Sequence, residues 1–140
     1  MPTKDIRSNL ESRLAFRAII TTDTTTNGAI IDTADYDAGI VFNFICSVYG
    51  AGTYTPVIEE SNASDMTGAT DIADVNLIGT EAGAALSALT VSGAVLKTIG
   101  LGGTKRYVRV KIASVSASTS TIVVSFNGAV EVAPSANLSA

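Results

Sequence analysis

The chain contains no histidine, no tryptophan and a single cysteine in 140 residues. Without histidine there is no Ser-His-Asp or Cys-His catalytic machinery and no histidine-containing zinc site. One cysteine permits neither an intrachain disulfide nor a cysteine-rich metal centre, which points to synthesis and assembly in a reducing cytosol. Cys46 lies mid-strand among Phe and Ile, not in the electropositive cleft that activates a thiol. Charged residues make up 16%, against a usual share of about 25%. A surface so poor in charge solubilises weakly and favours a chain that is normally packed against something. No apolar run reaches the roughly 18 residues that cross a bilayer. The opening MPTKDIRSNLESRLAFR is basic without an uninterrupted hydrophobic segment behind it, so it is not read as a secretion signal. Neither a membrane nor a cofactor is expected.

What is present is a one-sided strand pattern. In Gly39–Ser61, residues Ile40, Phe42, Phe44, Cys46 and Val48 alternate with Val41, Asn43, Ile45, Ser47 and Tyr49. After Gly50-Ala51-Gly52, Thr53–Glu60 reads as a second strand with Tyr54 and Ile58 on one face. The pair predicts a β-hairpin, with Pro56 at an edge or a bulge. Lys105–Val115 and Thr121–Val132 alternate likewise. The shared pattern predicts a core of Ile40, Phe42, Phe44, Val48, Ile58, Val108, Val110, Ile112, Ile122, Val124 and Phe126. Seven or eight short strands separated by turn signals predict an all-β fold. The expected form is a single antiparallel β-sandwich, jelly-roll or Greek-key-like, over residues 18–133, with an N-terminal arm at 1–17 and a tail at 134–140. In the arm, Ile6, Leu10 and Leu14 recur every four residues behind a Ser8-x-x-Glu11 capping pattern. An extended arm leading into a strand at Ala15 is preferred over a helix, which at this length is marginal without a partner surface.

Charge is segregated. Residues 18–96 hold ten acids and no Lys or Arg, whereas the nine basic residues fall in 1–17 and 97–111. Either strand pairing joins the two classes as surface ion pairs, or basic and acidic patches meet across subunits. Asp32, Asp35 and Asp37 lack the spacing of an EF-hand loop and read as turn formers. Glu59 and Glu60 are adjacent on a strand, point to opposite faces and cannot share a substrate. Lys105, Tyr107, Arg109 and Lys111 share a face as a single-strand nucleic-acid platform would require. An overall pI near 4.6 speaks against such a partner. Gly100–Lys105 lacks phosphate-loop spacing and precedes a strand, which makes it a turn.

The order of several segments carries a resemblance. Asp35-Tyr36-Asp37 precedes the alternating strand; Thr53–Ser61 reads Thr-x-Thr-Pro-x-Ile-x-Glu-Ser; Asp71–Thr80 and Ile99–Val110 follow. As an ordered set over most of residues 28–132, this resembles the small decoration or cement proteins on the heads of tailed bacteriophages and prophages. The resemblance implies a structural virion protein with no catalytic residues. It would stabilise the outer capsid lattice by bridging subunits of the major capsid protein. It would act as a homo-oligomer, a trimer at a local three-fold ahead of a dimer at a two-fold. Ile6, Arg7, Leu10, Arg13, Leu14, Phe16 and Arg17 are the expected contacts with the neighbouring protein. The competing function class is a β-sandwich adhesin module for a host-surface or carbohydrate ligand.

Overall fold

A strand with one apolar face must find a second apolar surface to cover it. In the computed structural model, which describes residues 10–36, 39–87, 96–101 and 105–129, that surface is a second sheet. The strands are β1 (Leu10–Ile20), β2 (Thr25–Asp32), β3 (Ile40–Val48), β4 (Thr53–Ser61), β5 (Thr70–Asp71), β6 (Leu77–Ile78), β7 (Leu96–Leu101), β8 (Tyr107–Val115) and β9 (Ser120–Ala129). A five-stranded sheet runs β1-β9-β3-β7-β6 and a four-stranded sheet runs β2-β8-β4-β5. Every pairing is antiparallel. The fold is therefore all-β, two antiparallel sheets packed together like a sandwich.

The core fills the space between the sheets. Phe42 and Phe44 of β3 meet Ile122, Val124 and Phe126 of β9, and the four-stranded sheet answers with Tyr54, Ile58, Val108, Val110 and Ile112. Tyr36 stands edge-on to Phe126 at 5.5 Å between centroids and closes one end. Its ring lies over Gly128, where an added Cβ would fall 2.2 Å from the ring. The predicted core is buried except for Val48, which is 56% exposed. The β3–β9 register shifts between Cys46 and Val48, and an odd step in register turns every later side chain to the other face.

The predicted hairpin does not form. β3 pairs with β7 and β9, β4 pairs with β8 and β5, and the two lie in opposite sheets. Each strand has its own apolar face, and the faces are buried against each other across the sandwich instead of side by side. Gly52 makes the crossing at φ +100°, with Ser116 O and Val115 O both 2.7 Å from where a Cβ would stand. Tyr54, fully buried, fastens the crossing. Its hydroxyl lies 2.7 Å from Ala51 O, 2.8 Å from Ser118 O and 2.8 Å from Ser120 Oγ.

Pro56 sits on the outer edge of β4. Two residues to either side, the N–H groups of Tyr54 and Ile58 point away from β8, to Leu86 O and to the Glu81 carboxylate. A missing donor at Pro56 therefore costs the ladder with β8 nothing. The first strand is longer than expected. Residues 10–17 belong to β1 and pair with β9, so the arm boundary drawn at residue 17 falls inside a strand. Ile6 and Arg7 lie outside the described residues, as do Val130, Val132 and the tail.

Candidate functional site: two sheet faces and an open seam

The two outward faces of the sandwich differ in chemistry. On the four-stranded sheet, register places Arg109 of β8 opposite Glu59 of β4, and Lys111 two residues further along the same face. Arg109 Nη2 donates to Glu59 Oε2 at 2.7 Å and Lys111 Nζ reaches Glu59 Oε1 at 2.6 Å. Asp71 of β5 takes a further contact from Lys111 at 3.4 Å. Burial pushes the Glu59 carboxyl up, but hydrogen bonds from Lys111 and Arg109 outweigh it and hold it below its ordinary value. The bond from Lys111 to Glu59 raises the lysine in turn. At the end of the sheet Arg106 grips Asp32 with two nitrogens, which lowers that carboxyl. Lys105 donates through its backbone N–H to Glu60 and through Nζ to Thr70.

The charge segregation is thus resolved for this strand. Acids from β2, β4 and β5 flank the basic run 105–111, and each of its cations faces an acidic or polar group of the same chain. Glu59 and Glu60 do serve opposite faces, each with its own cationic partner.

The five-stranded sheet presents the opposite character. Its outward positions follow from β9, where Thr121, Val123, Ser125 and Asn127 alternate with buried residues. Cross-strand partners share a face. Opposite these four lie Ile19, Arg17, Leu14 and Ser12 of β1 on one side and Val48, Ile45, Asn43 and Val41 of β3 on the other. Thr98 and Gly100 of β7 extend the rows, and Ile78 of β6 covers Gly100. Ile78 is 75% exposed, Ile19 68%, Leu14 57% and Val41 41%. Arg17 is the one charged residue among these positions, and it forms no ion pair among the described residues.

Between the sheets at one side runs a shallow seam, where β1 and β2 are the facing edge strands. Each carries an irregularity at the same level: β1 between Leu14 and Phe16, β2 between Asn27 and Ile30. Gly28 allows the two to approach, since a Cβ there would stand 2.6 Å from Ala15 O and 2.8 Å from Val110 O. Bulges of this kind twist an edge away from pairing with other chains. Further along the seam Glu11 joins Arg13 and accepts from the Tyr36 hydroxyl at 3.1 Å.

The expected contact residues therefore scatter. Leu10 opens β1. Leu14 and Arg17 lie on the open face of the five-stranded sheet, and Arg13 lies at the seam with Glu11. Phe16 is 4% exposed and belongs to the core, so it is not available as a contact. Sequence reading did not single out Ile19, Val41, Val48 or Ile78 as surface. The usable signal was in β3, whose second phase, Val41 and Ile45, is apolar where a solvated face would be polar. Compared with family models, with curated proteins and with solved structures, the chain matches none of them.

Proposed function

We propose that the protein is a structural, non-enzymatic component of a bacteriophage head, assembling as a homo-oligomer on the outer capsid lattice and cementing subunits of the major capsid protein. The observation that carries the reading is the outer face of the five-stranded sheet, where Leu14, Ile19, Val41, Val48 and Ile78 stand exposed among Ser12, Asn43, Thr121, Ser125 and Asn127, and where Arg17 is the only charge among the described residues. Several large apolar side chains left exposed on one sheet face favour an association site there. The ordered segments that resemble head decoration proteins supply the kind of association. On this reading the sandwich is jelly-roll or Greek-key-like, with its crossovers between sheets giving a rigid body. Repeated symmetric sites on a lattice then turn weak individual contacts into firm attachment.

The test is co-sedimentation of the purified chain with expanded capsids and with unexpanded procapsids. Binding to the expanded form alone is expected. Binding to neither form overturns the reading.

A further inference from the structure

We infer that the open face of the five-stranded sheet is the surface through which two copies of this chain pair, sheet against sheet. The inference deepens the association reading above and names the occupant of the same face.

Three observations select a second copy. The first is charge. The face has one arginine and no acid among its described positions, so it has nothing with which to select an oppositely charged partner. Facing itself, it meets little repulsion. Arg17 belongs to the lateral edge strand, and an aligned sheet-on-sheet pairing leaves it at the rim, where its guanidinium keeps its water.

The second is area. Strands about 4.8 Å apart and a rise of about 3.3 Å per residue make the face roughly 20 Å on each side. Covering it with its own copy removes on the order of 1,000 Å² of surface in total, about the minimum for a specific interface. The third is shape. The central rows are small and medium side chains, Asn43, Ser125, Val123 and Ile45, flanked by Leu14, Ile19, Val41 and Val48. Two such surfaces can close to the roughly 10 Å spacing of packed sheets. An identical patch on both partners is the isologous contact of a two-fold axis. The inference thus sets pairing ahead of the three-fold grouping that the resemblance implied.

Sedimentation equilibrium of the purified full-length chain, without capsids, tests this directly. The expected result is a reversible species of twice the 14.3 kDa chain mass. Val41→Lys and Val123→Lys bring like charges together at the face and should weaken pairing on the order of a hundredfold, with an unchanged circular dichroism spectrum and a thermal midpoint that no longer rises with protein concentration. Val115→Lys, at an exposed position at the end of β8 in the four-stranded sheet, should leave pairing as it was. A strictly monomeric chain, a trimer, or a dimer untouched by both face variants overturns the inference. The capsid reading fails separately: a chain that dimerises but does not sediment with capsids keeps the pairing and loses the lattice.

Discussion

The Glu81 carboxylate accepts the Ile58 backbone N–H at 2.6 Å, so that a loop side chain stands where the edge of β4 would otherwise need another strand. Burial raises the Glu81 carboxyl above its ordinary value, and the charges of Asp74 and Asp71 add to the effect. A carboxyl with a raised folded-state pKa binds its proton more readily in the native protein than in the unfolded chain. Its contribution to stability is fully present below the unfolded pKa of 4.5 and is lost as pH rises through the raised value. Glu81→Gln keeps an acceptor for Ile58 and drops the charge. It should unfold at equal or higher denaturant concentration than the parent at neutral pH, with a flatter pH dependence just above 4.5. Glu81→Ala leaves the N–H without its partner and should cost about 1–3 kcal/mol.

Glu59 obeys the opposite sign. Its folded-state value is depressed, so its stabilising contribution is present above the unfolded pKa and is lost as pH falls through the depressed one. Glu59→Gln should lower the denaturation midpoint at neutral pH and remove part of the acid-side loss of stability. Lys111, raised by the same contact, contributes below its unfolded pKa of 10.5 and loses that contribution as pH climbs through the raised value. An alkaline unfolding profile that is identical in the parent and in Glu59→Gln would show that the pair is not coupled.

Phe44→Ala empties a fully buried position between the sheets. Denaturant unfolding should show a loss of about 3–5 kcal/mol. A loss below about 1 kcal/mol would place Phe44 outside the core.

Tyr54→Phe removes one oxygen and keeps the ring. The carbonyls of Ala51 and Ser118 and the hydroxyl of Ser120 all lose a partner. The expected cost is about 1–3 kcal/mol, read as a lower denaturant midpoint with an unchanged slope.

Gly28→Ala tests the seam. A methyl group there meets two backbone oxygens, Ala15 O and Val110 O, neither of which can swing aside as a side chain would. Overpacking of this kind costs about 1–3 kcal/mol. Parent-like stability in this variant would mean that the seam opens freely.

The alternation of strands was legible in the sequence because burial on one face writes itself as a period of two. It located Phe42, Phe44, Val110 and Val124 correctly. The partner of each strand was not legible. A short glycine turn between two alternating runs fits a hairpin within one sheet and equally a crossing between sheets, and local pattern does not separate them. Tyr54 decides for the crossing through contacts with residues 64 and 66 positions away. Val48 escaped because a one-residue register shift has no signature of its own. Of the candidate site, the basic and acidic runs were visible, but their mutual neutralisation depends on β8 lying between β2 and β4. The open apolar face was half-visible in Val41 and Ile45, while Ile19 and Ile78 join it only through sheet order.

The topology also dictates when the molecule can be finished. β1 and β3 both pair with β9, so Leu10 awaits Ala129 and Phe42 awaits Phe126. During synthesis the aromatic face of β3 emerges long before either of its neighbours, β7 or β9, has been made. Until residue 129 clears the ribosome, the five-stranded sheet lacks the strand that joins β1 to β3. Ring closures between such distant parts of a chain are slow, and the waiting intermediate exposes unpaired apolar strands. Yield in the cell should therefore depend on translation speed and on chaperone supply more steeply than the stability of the finished fold would indicate.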